Sequence, residues 1–268
     1  MSESIYVFSP GGREAIGRLT GDRVLAAFDF DGTLAPIALR PEQVVTPPGT
    51  RAALGRLREH CLTAIISGRA RDDVQRRVGV DVDYVIGNHG IEGLPGADKE
   101  MAECLAVARG WVRQLQHGTA FRPLDSGVFL EDKGHSLALH YREARDATRA
   151  QRELLERVGA LDPAPRIVTG KYVFNLLPPP AVDKGTALLR LLELTRADAA
   201  IYVGDDDTDE DVFALHEPAL LSVRVGRSDQ SRARLYLRAP QEIPRLIDLL
   251  VQARVRRGSE AGAPRGAG

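Results

Sequence analysis

Val24-Leu25-Ala26-Ala27-Phe28 leads directly into Asp29-Phe30-Asp31-Gly32-Thr33. Five apolar residues in a row, without alternation, read as a strand buried on both faces, the pattern of a parallel sheet covered by helices. The same join recurs three times. Leu62-Thr63-Ala64-Ile65-Ile66 runs into Ser67-Gly68-Arg69, Tyr84-Val85-Ile86 into Gly87-Asn88-His89-Gly90, and Ile201-Tyr202-Val203 into Gly204-Asp205-Asp206-Asp207. Between the first two strands, Ala53, Leu54 and Leu57 fall at helical spacing. Strands alternating with helices predict an α/β fold with a Rossmann-like, doubly wound parallel sheet. Ligands of such sheets bind beyond the carboxyl ends of the strands, where these four polar loops converge.

The middle of the chain follows another rhythm. A helical stretch around Glu103 to Gln116 precedes two strand candidates, Val128 to Glu131 and Ser136 to Tyr141. A second helix around Arg145 to Val158 precedes two more, Arg166 to Thr169 and Tyr172 to Leu176. Helix-strand-strand, repeated, predicts a small α+β layer with one wet face. It interrupts the α/β series and is therefore read as an inserted cap, or lid, over residues 95–180, with Pro178-Pro179-Pro180 as a stiff return. The expected division is an N-terminal segment 1–21, a core of 22–94 and 181–253, the cap, and a Gly-, Ala- and Arg-rich tail 254–268 expected to be disordered. Ile243, Leu246, Ile247, Leu250 and Val251 mark a closing amphipathic helix.

The bulk properties narrow the function class. The chain has 268 residues, 43% hydrophobic and 27% charged, with a formal net charge of −1. That balance supplies no field for nucleic acid or an anionic membrane. Cys61 and Cys104 stand alone, so neither a disulfide framework nor a zinc cluster is expected. No apolar run suits a signal peptide or a membrane span, which predicts a cytoplasmic protein with no membrane partner. Of the 36 cationic residues only Lys99, Lys133, Lys171 and Lys184 are lysines. Each is a compact point charge that a guanidinium does not replace.

Two carboxylates one residue apart, just past a buried strand, need a cation. Mg²⁺ accepts one or two carboxylates together with waters and phosphate oxygens. A carboxylate so placed can attack phosphorus to give an aspartyl phosphate. The second acid protonates the leaving alkoxide and later takes a proton from the hydrolytic water. Ser67 and neighbouring N–H groups suit the oxygens of the transferring group, and Lys184, at a helix start, suits their charge. Asp205, Asp206, Asp207 and Asp209 repel one another unless a metal or strong donors sit among them.

Asp-Phe-Asp-Gly-Thr-Leu, Ser67, Lys184 and Gly204-Asp205-Asp206 resemble the four motifs of the haloacid-dehalogenase phosphatases. Ser67-Gly68-Arg69, Gly87-Asn88-His89-Gly90, Glu131-Asp132-Lys133-Gly134 with Leu137-Ala138-Leu139-His140-Tyr141-Arg142, and Gly204-Asp205-Asp206-Asp207-Thr208-Asp209-Glu210-Asp211 narrow the resemblance to the trehalose-6-phosphate phosphatases, over about residues 22–250. The resemblance implies Asp29 as nucleophile, Asp31 as general acid/base, and Ser67 and Lys184 as phosphate ligands. It implies Mg²⁺ on Asp29, the Asp31 carbonyl and Asp205, with Asp206 or Asp209 in the outer shell. A sugar-phosphate substrate would touch Asp29, Phe30, Asp31, Arg69, Asn88, His89, Glu131, Lys133, His140, Arg142 and Asn175. One departure stands out. Where the family carries an acid and a base on the last cap strand, this chain has Asn175 and Leu177. Phosphatases for sucrose phosphate or mannosyl-phosphoglycerate, phosphomutases and a non-catalytic module share enough of this pattern to stand as alternatives.

Overall fold

The structure, a computed structural model, describes residues 4–19, 21–38, 43–117, 127–179 and 182–261, with side chains through 257. Seven strands form one sheet: β1 (Ile5–Tyr6), β2 (Val24–Phe28), β3 (Leu62–Ile66), β4 (Tyr84–Ile86), β9 (Ala199–Gly204), β10 (Leu220–Val225) and β11 (Leu235–Leu237). Their order is β1-β11-β10-β9-β2-β3-β4, and every neighbouring pair is parallel. Every residue of β2 and β9 is buried, as the uninterrupted apolar runs require.

Alternate residues of β2 feed two cores. Val24, Ala26 and Phe28 pack with Ile16 of α1 (Pro10–Gly17), Ala53, Leu54 and Leu57 of α2 (Pro48–Arg58), Val74 of α3 (Arg71–Val78), and Ile243, Leu246, Ile247 and Leu250 of α8 (Ile243–Ala261). Leu25 and Ala27 face the opposite layer, against Ala187, Leu188 and Leu191 of α6 (Lys184–Thr195) and Val212 and Phe213 of α7 (Glu210–Phe213). Truncating a fully buried side chain such as Phe28 to Ala would cost about 3–5 kcal/mol. From β2 the chain winds outward through β3 and β4. From β9 it winds the other way through β10 and β11. The order reverses between β2 and β9, and the crevice outside their carboxyl ends is where such sheets bind ligands.

A second sheet, order β5-β6-β8-β7, is antiparallel throughout: β5 (Phe129–Asp132), β6 (Leu137–His140), β7 (Arg166–Gly170) and β8 (Val173–Leu177). One face is apolar. Leu137, Leu139, Phe174 and Leu176 pack on Trp111 of α4 (Asp98–His117) and on Leu154 and Val158 of α5 (Ala147–Val158). The other face carries Glu131, His140 and Asn175 toward the large sheet's strand ends, because residues alternate across a strand. The molecule is therefore a doubly wound α/β core with an inserted α+β cap.

Two expectations change. Ile5–Tyr6, in the segment set apart as 1–21, pairs with β11 and completes the sheet edge. Residues 254–261 of the expected tail continue α8, and 262–268 lie outside the described residues, as do Pro180 and Ala181 at the cap's return. Leu177, where a cation had been looked for, is buried with Ile91, Cys104 and Val182 at the joint between cap and core.

Candidate active site

β2 delivers Asp29 to the switch point. Its N–H donates to the Val203 carbonyl at 2.8 Å, and its side chain is buried. The same turn brings Gly32 against β9's loop. Gly32 has φ +81°, and a Cβ there would stand 2.0 Å from Asp205 Oδ2, so no side chain fits.

Lys184 is the first residue of α6, whose N-cap Asp183 accepts from the Thr186 N–H at 2.7 Å. That cap aims Lys184 Nζ at Asp29 Oδ1 and Asp209 Oδ1, both at 2.8 Å. Asp209 is wholly buried. Its Oδ1 also accepts from Tyr202 Oη at 2.6 Å, and its Oδ2 from the N–H groups of Asp205 (2.8 Å) and Asp206 (3.0 Å). The acidic run is thus partly answered by strong donors. Gly204 permits this fold-back, since a Cβ there would lie 2.2 Å from Asp209 Cγ.

Burial opposes the charge on Lys184, yet Asp209 and Asp29 hold its pKa well above the ordinary value. Burial pushes the Asp29 pKa well above the carboxylate range, and Asp209, Asp206 and Asp205 add to this against the pull of Lys184. Burial, with Asp209 and Asp206, likewise pushes Asp205 up to about 7. Carboxylates raised this way need a further cation. Carboxylate oxygens of Asp29, Asp205 and Asp209 lie within 4.8 Å of one another. Asp209's oxygens are taken by four donors, whereas among the described residues Asp205's carboxylate accepts only a long contact from Thr33 Oγ1 at 3.3 Å. Asp29 and Asp205 therefore fit a hard divalent cation, with Asp209 behind them.

Asp31 is held differently. Arg69 donates to it through two nitrogens, Nε to Oδ2 at 2.6 Å and Nη2 to Oδ1 at 2.7 Å, and through Nη1 to Asp73 at 3.0 Å. Arg69, expected to meet sugar, lines the cleft and grips Asp31 from its wall. Asp73 in turn accepts from Arg77 at 2.7 Å. Ser67, buried at the end of β3, lines the floor of the cleft with Asp29 and Lys184.

The Gly87–Gly90 loop is left-handed at Asn88 (φ +47°) and His89 (φ +58°). His89 borders the cleft with its pKa lowered to about 3, first by burial and then by Lys133 and Lys184, so its ring is neutral. Asn88 is not on the cleft wall. Its Nδ2 donates to Glu92 Oε1 (2.7 Å) and the Lys133 carbonyl (3.2 Å), and its Oδ1 accepts from Ser136 Oγ at 2.8 Å. It ties the cap's β5–β6 turn to the core. Phe30 is fully buried in the large core and offers no side-chain surface to a ligand.

The cap closes the cleft, about 390 Å³ in volume, with Glu131, Lys133, His140, Arg142 and Asn175. Glu131 Oε2 is 2.7 Å from His140 Nε2, and the Phe129 ring stacks on His140 at 4.5 Å. Lys133 Nζ donates to the Gly68 carbonyl (3.3 Å) and Asn175 Oδ1 (3.1 Å). Three contributors had no local signal. Asp73 braces Arg69. Glu92 accepts from Asn88, from the Arg71 N–H at 2.6 Å, and stands 2.6 Å from His135 of the cap. Arg166, on the cap edge, donates to Asp183 (3.0 Å) and Asp211 (2.7 Å) of the core.

A sequence model of the trehalose-phosphatase family matches residues 27–237, from β2 to β11. The chain belongs to this family. Among similar proteins is a trehalose-phosphate phosphatase of Mycobacterium marinum, 34% identical over 252 residues, covering 87% of this chain. The chain spans 64% of that relative's length. An uncharacterized glycosyl hydrolase of Mycobacterium tuberculosis is 38% identical over 210 residues, 73% of this chain but 15% of the larger protein. Among solved structures, the C-terminal domain of a Candida albicans trehalose-6-phosphate phosphatase superposes with a TM-score of 0.69, covering 94% of this chain and 98% of that one, at 21% identity. That likeness speaks for the fold alone: a doubly wound α/β core with an inserted α+β cap. No helix among the described residues is long and apolar enough to cross a membrane.

Proposed function

We propose that this chain is a Mg²⁺-dependent phosphatase that hydrolyses trehalose 6-phosphate to trehalose and phosphate. The observation that carries the reading is the buried Asp29 carboxylate, 2.8 Å from Lys184 Nζ, on the floor of a cleft roofed by polar cap residues. An Asp29 oxygen attacks phosphorus as the bond to the sugar oxygen breaks. Asp31, once protonated, gives its proton to that departing oxygen. In the second half, Asp31 takes a proton from water as the water oxygen attacks the aspartyl phosphate, freeing phosphate and the Asp29 carboxylate. Mg²⁺ held by Asp29 and Asp205 would neutralise charge on the phosphoryl oxygens. Ser67 and Lys184 supply the remaining donors, and the cap excludes water.

The test is phosphate release from trehalose 6-phosphate with Mg²⁺, by the wild type and by Asp29→Asn. Turnover by the wild type and none by the variant is expected. Equal rates from both proteins, or turnover persisting in excess chelator, would refute the scheme. A phosphatase for another sugar phosphate is the second reading, and Asn175 is what favours it, since sugar identity is read at the cap.

A further inference from the structure

The charges around the cleft nearly all have their opposites. Asp31 and Asp73 are taken by Arg69. Asp29 and Asp209 share Lys184. Glu131 is hydrogen-bonded to His140 and keeps its own charge on the roof, out of ion-pair reach of Lys133. On the floor, Asp205 and Asp206 remain for the metal. On the roof, Lys133 and Arg142 remain. Lys133 Nζ reaches only two neutral oxygens, the Gly68 carbonyl and Asn175 Oδ1, and among the described residues no carboxylate forms an ion pair with it. Among the described residues Arg142 makes one long contact, to the Lys171 carbonyl at 3.5 Å.

Asn175 cannot supply the missing charge. Its Oδ1 accepts from Lys133, and its Nδ2 faces the Val168 carbonyl at 3.4 Å. The ammonium has three N–H groups, of which two are engaged. The third is left to the cleft that Lys133 lines. Burial, joined by repulsion from Arg69, pulls the Lys133 pKa below its ordinary value against the attraction of Glu131. A desolvated cation with neutral partners is an unfavourable arrangement until an anion meets it.

We propose that the roof of this cleft is an anion subsite, built on Lys133, which Asn175 leaves without an ion pair, with Arg142 farther along the same lining. It selects phosphomonoesters whose leaving alcohol carries a second negative group, a carboxylate or a second phosphate, such as a phosphorylated sugar acid. The inference rests on phosphomonoester hydrolysis at Asp29 but not on trehalose 6-phosphate as substrate. A charge-assisted hydrogen bond formed on binding favours the anionic substrate by about ten- to a hundredfold in kcat/KM.

The experiment compares substrates that differ by one anionic group: glucose 6-phosphate against 6-phosphogluconate for a carboxylate, and against glucose 1,6-bisphosphate for a second phosphate. Trehalose 6-phosphate serves as the neutral disaccharide. Wild-type enzyme is expected to prefer at least one anionic member by tenfold or more, and the two arms show which anion is read. Asn175→Asp, which places a carboxylate beside Lys133, is expected to cut that preference at least tenfold. Should the variant fold poorly, competition on the wild type gives the same answer: gluconate should inhibit p-nitrophenyl phosphate hydrolysis at lower concentration than glucose does. Hydrolysis of p-nitrophenyl phosphate with no preference in either arm, or a preference that survives Asn175→Asp, would overturn the anion subsite alone. No hydrolysis of any ester would instead strike the phosphatase reading.

Discussion

Lys184→Met puts the centre of the site under the most direct strain. The ammonium is 2% exposed and is shared by two carboxylates, Asp29 and Asp209, at 2.8 Å each. Methionine keeps most of the volume but leaves two buried anions facing each other. Breaking a buried ion pair by removing one partner costs about 3–5 kcal/mol. In a chain of this size that corresponds to a fall in Tm of very roughly 6–20 °C, at about 2–4 °C per kcal/mol. Turnover should fall separately, by about 10²–10³, through loss of a donor to the phosphoryl oxygens. The two effects are separable. In Lys184→Met/Asp209→Asn the asparagine can keep Oδ1 toward the N–H groups of Asp205 and Asp206, while its Nδ2 faces a Tyr202 hydroxyl able to turn and accept. Stability should then recover by more than half while turnover stays low. Thermal unfolding followed by circular dichroism, with phosphate release on the same samples, measures both. A single variant that melts within 2 °C of wild type and turns over within threefold would refute the assignment of Lys184 (both limits are rough). So would a double variant with restored activity.

Three further outcomes follow from the same geometry. His89 stays neutral in the fold down to about pH 3, but titrates near 6.5 when unfolded. The unfolded chain therefore binds the extra proton, and stability falls as pH drops from about 6.5 toward 3, by about 1.4 kcal/mol at pH 5.5. Urea unfolding at pH 7.5 and 5.5 should show this loss, and it should vanish in His89→Asn, a residue that tolerates the left-handed φ. Asp205, with its carboxyl near pH 7 in the metal-free site, must lose a proton to bind a cation, so Mg²⁺ affinity by calorimetry should rise from pH 6 to pH 8. Arg166→Ala removes the partly exposed tie from the cap edge to Asp183 and Asp211, and should cost only about 1 kcal/mol in urea unfolding, with Arg166→Lys recovering part; a loss several times larger would mean the tie is not screened as its exposure implies.

Much of this was legible in the sequence because it is local. The β2 run and the acids after it lie within ten residues, and burial on both faces leaves no alternation to confuse the reading. The cap's two helix-strand-strand units were equally plain. What escaped depends on distant partners. β1 has two residues, and only pairing with Leu235 and Tyr236 makes it a strand. For Arg69, next to Ser67-Gly68, only a sugar contact could be read, because nothing nearby shows that Asp31 and Asp73 also lie across from it. Asn88 looked like a ligand for the same reason, its three partners being Glu92 and two residues of the cap turn. Leu177 looked like a lost cation until its neighbours at the cap joint came into view.

The scarcity of lysine has a practical consequence. Apart from the chain's α-amino group, four amines are present, and they sit in unlike surroundings. Lys99 has a side chain 91% exposed and Lys171 lies on the surface, while Lys184 is sealed at 2%. Lys133 lies between these extremes, opening on the cleft with its amine more readily deprotonated than a surface lysine's. Acylating reagents consume only the deprotonated amine, so a mild reagent should mark Lys99 and Lys171 at once, Lys133 more slowly, and Lys184 only after unfolding. Mass spectrometry of the Lys133 peptide then becomes a footprint of cleft occupancy that needs no turnover, read against two built-in surface controls.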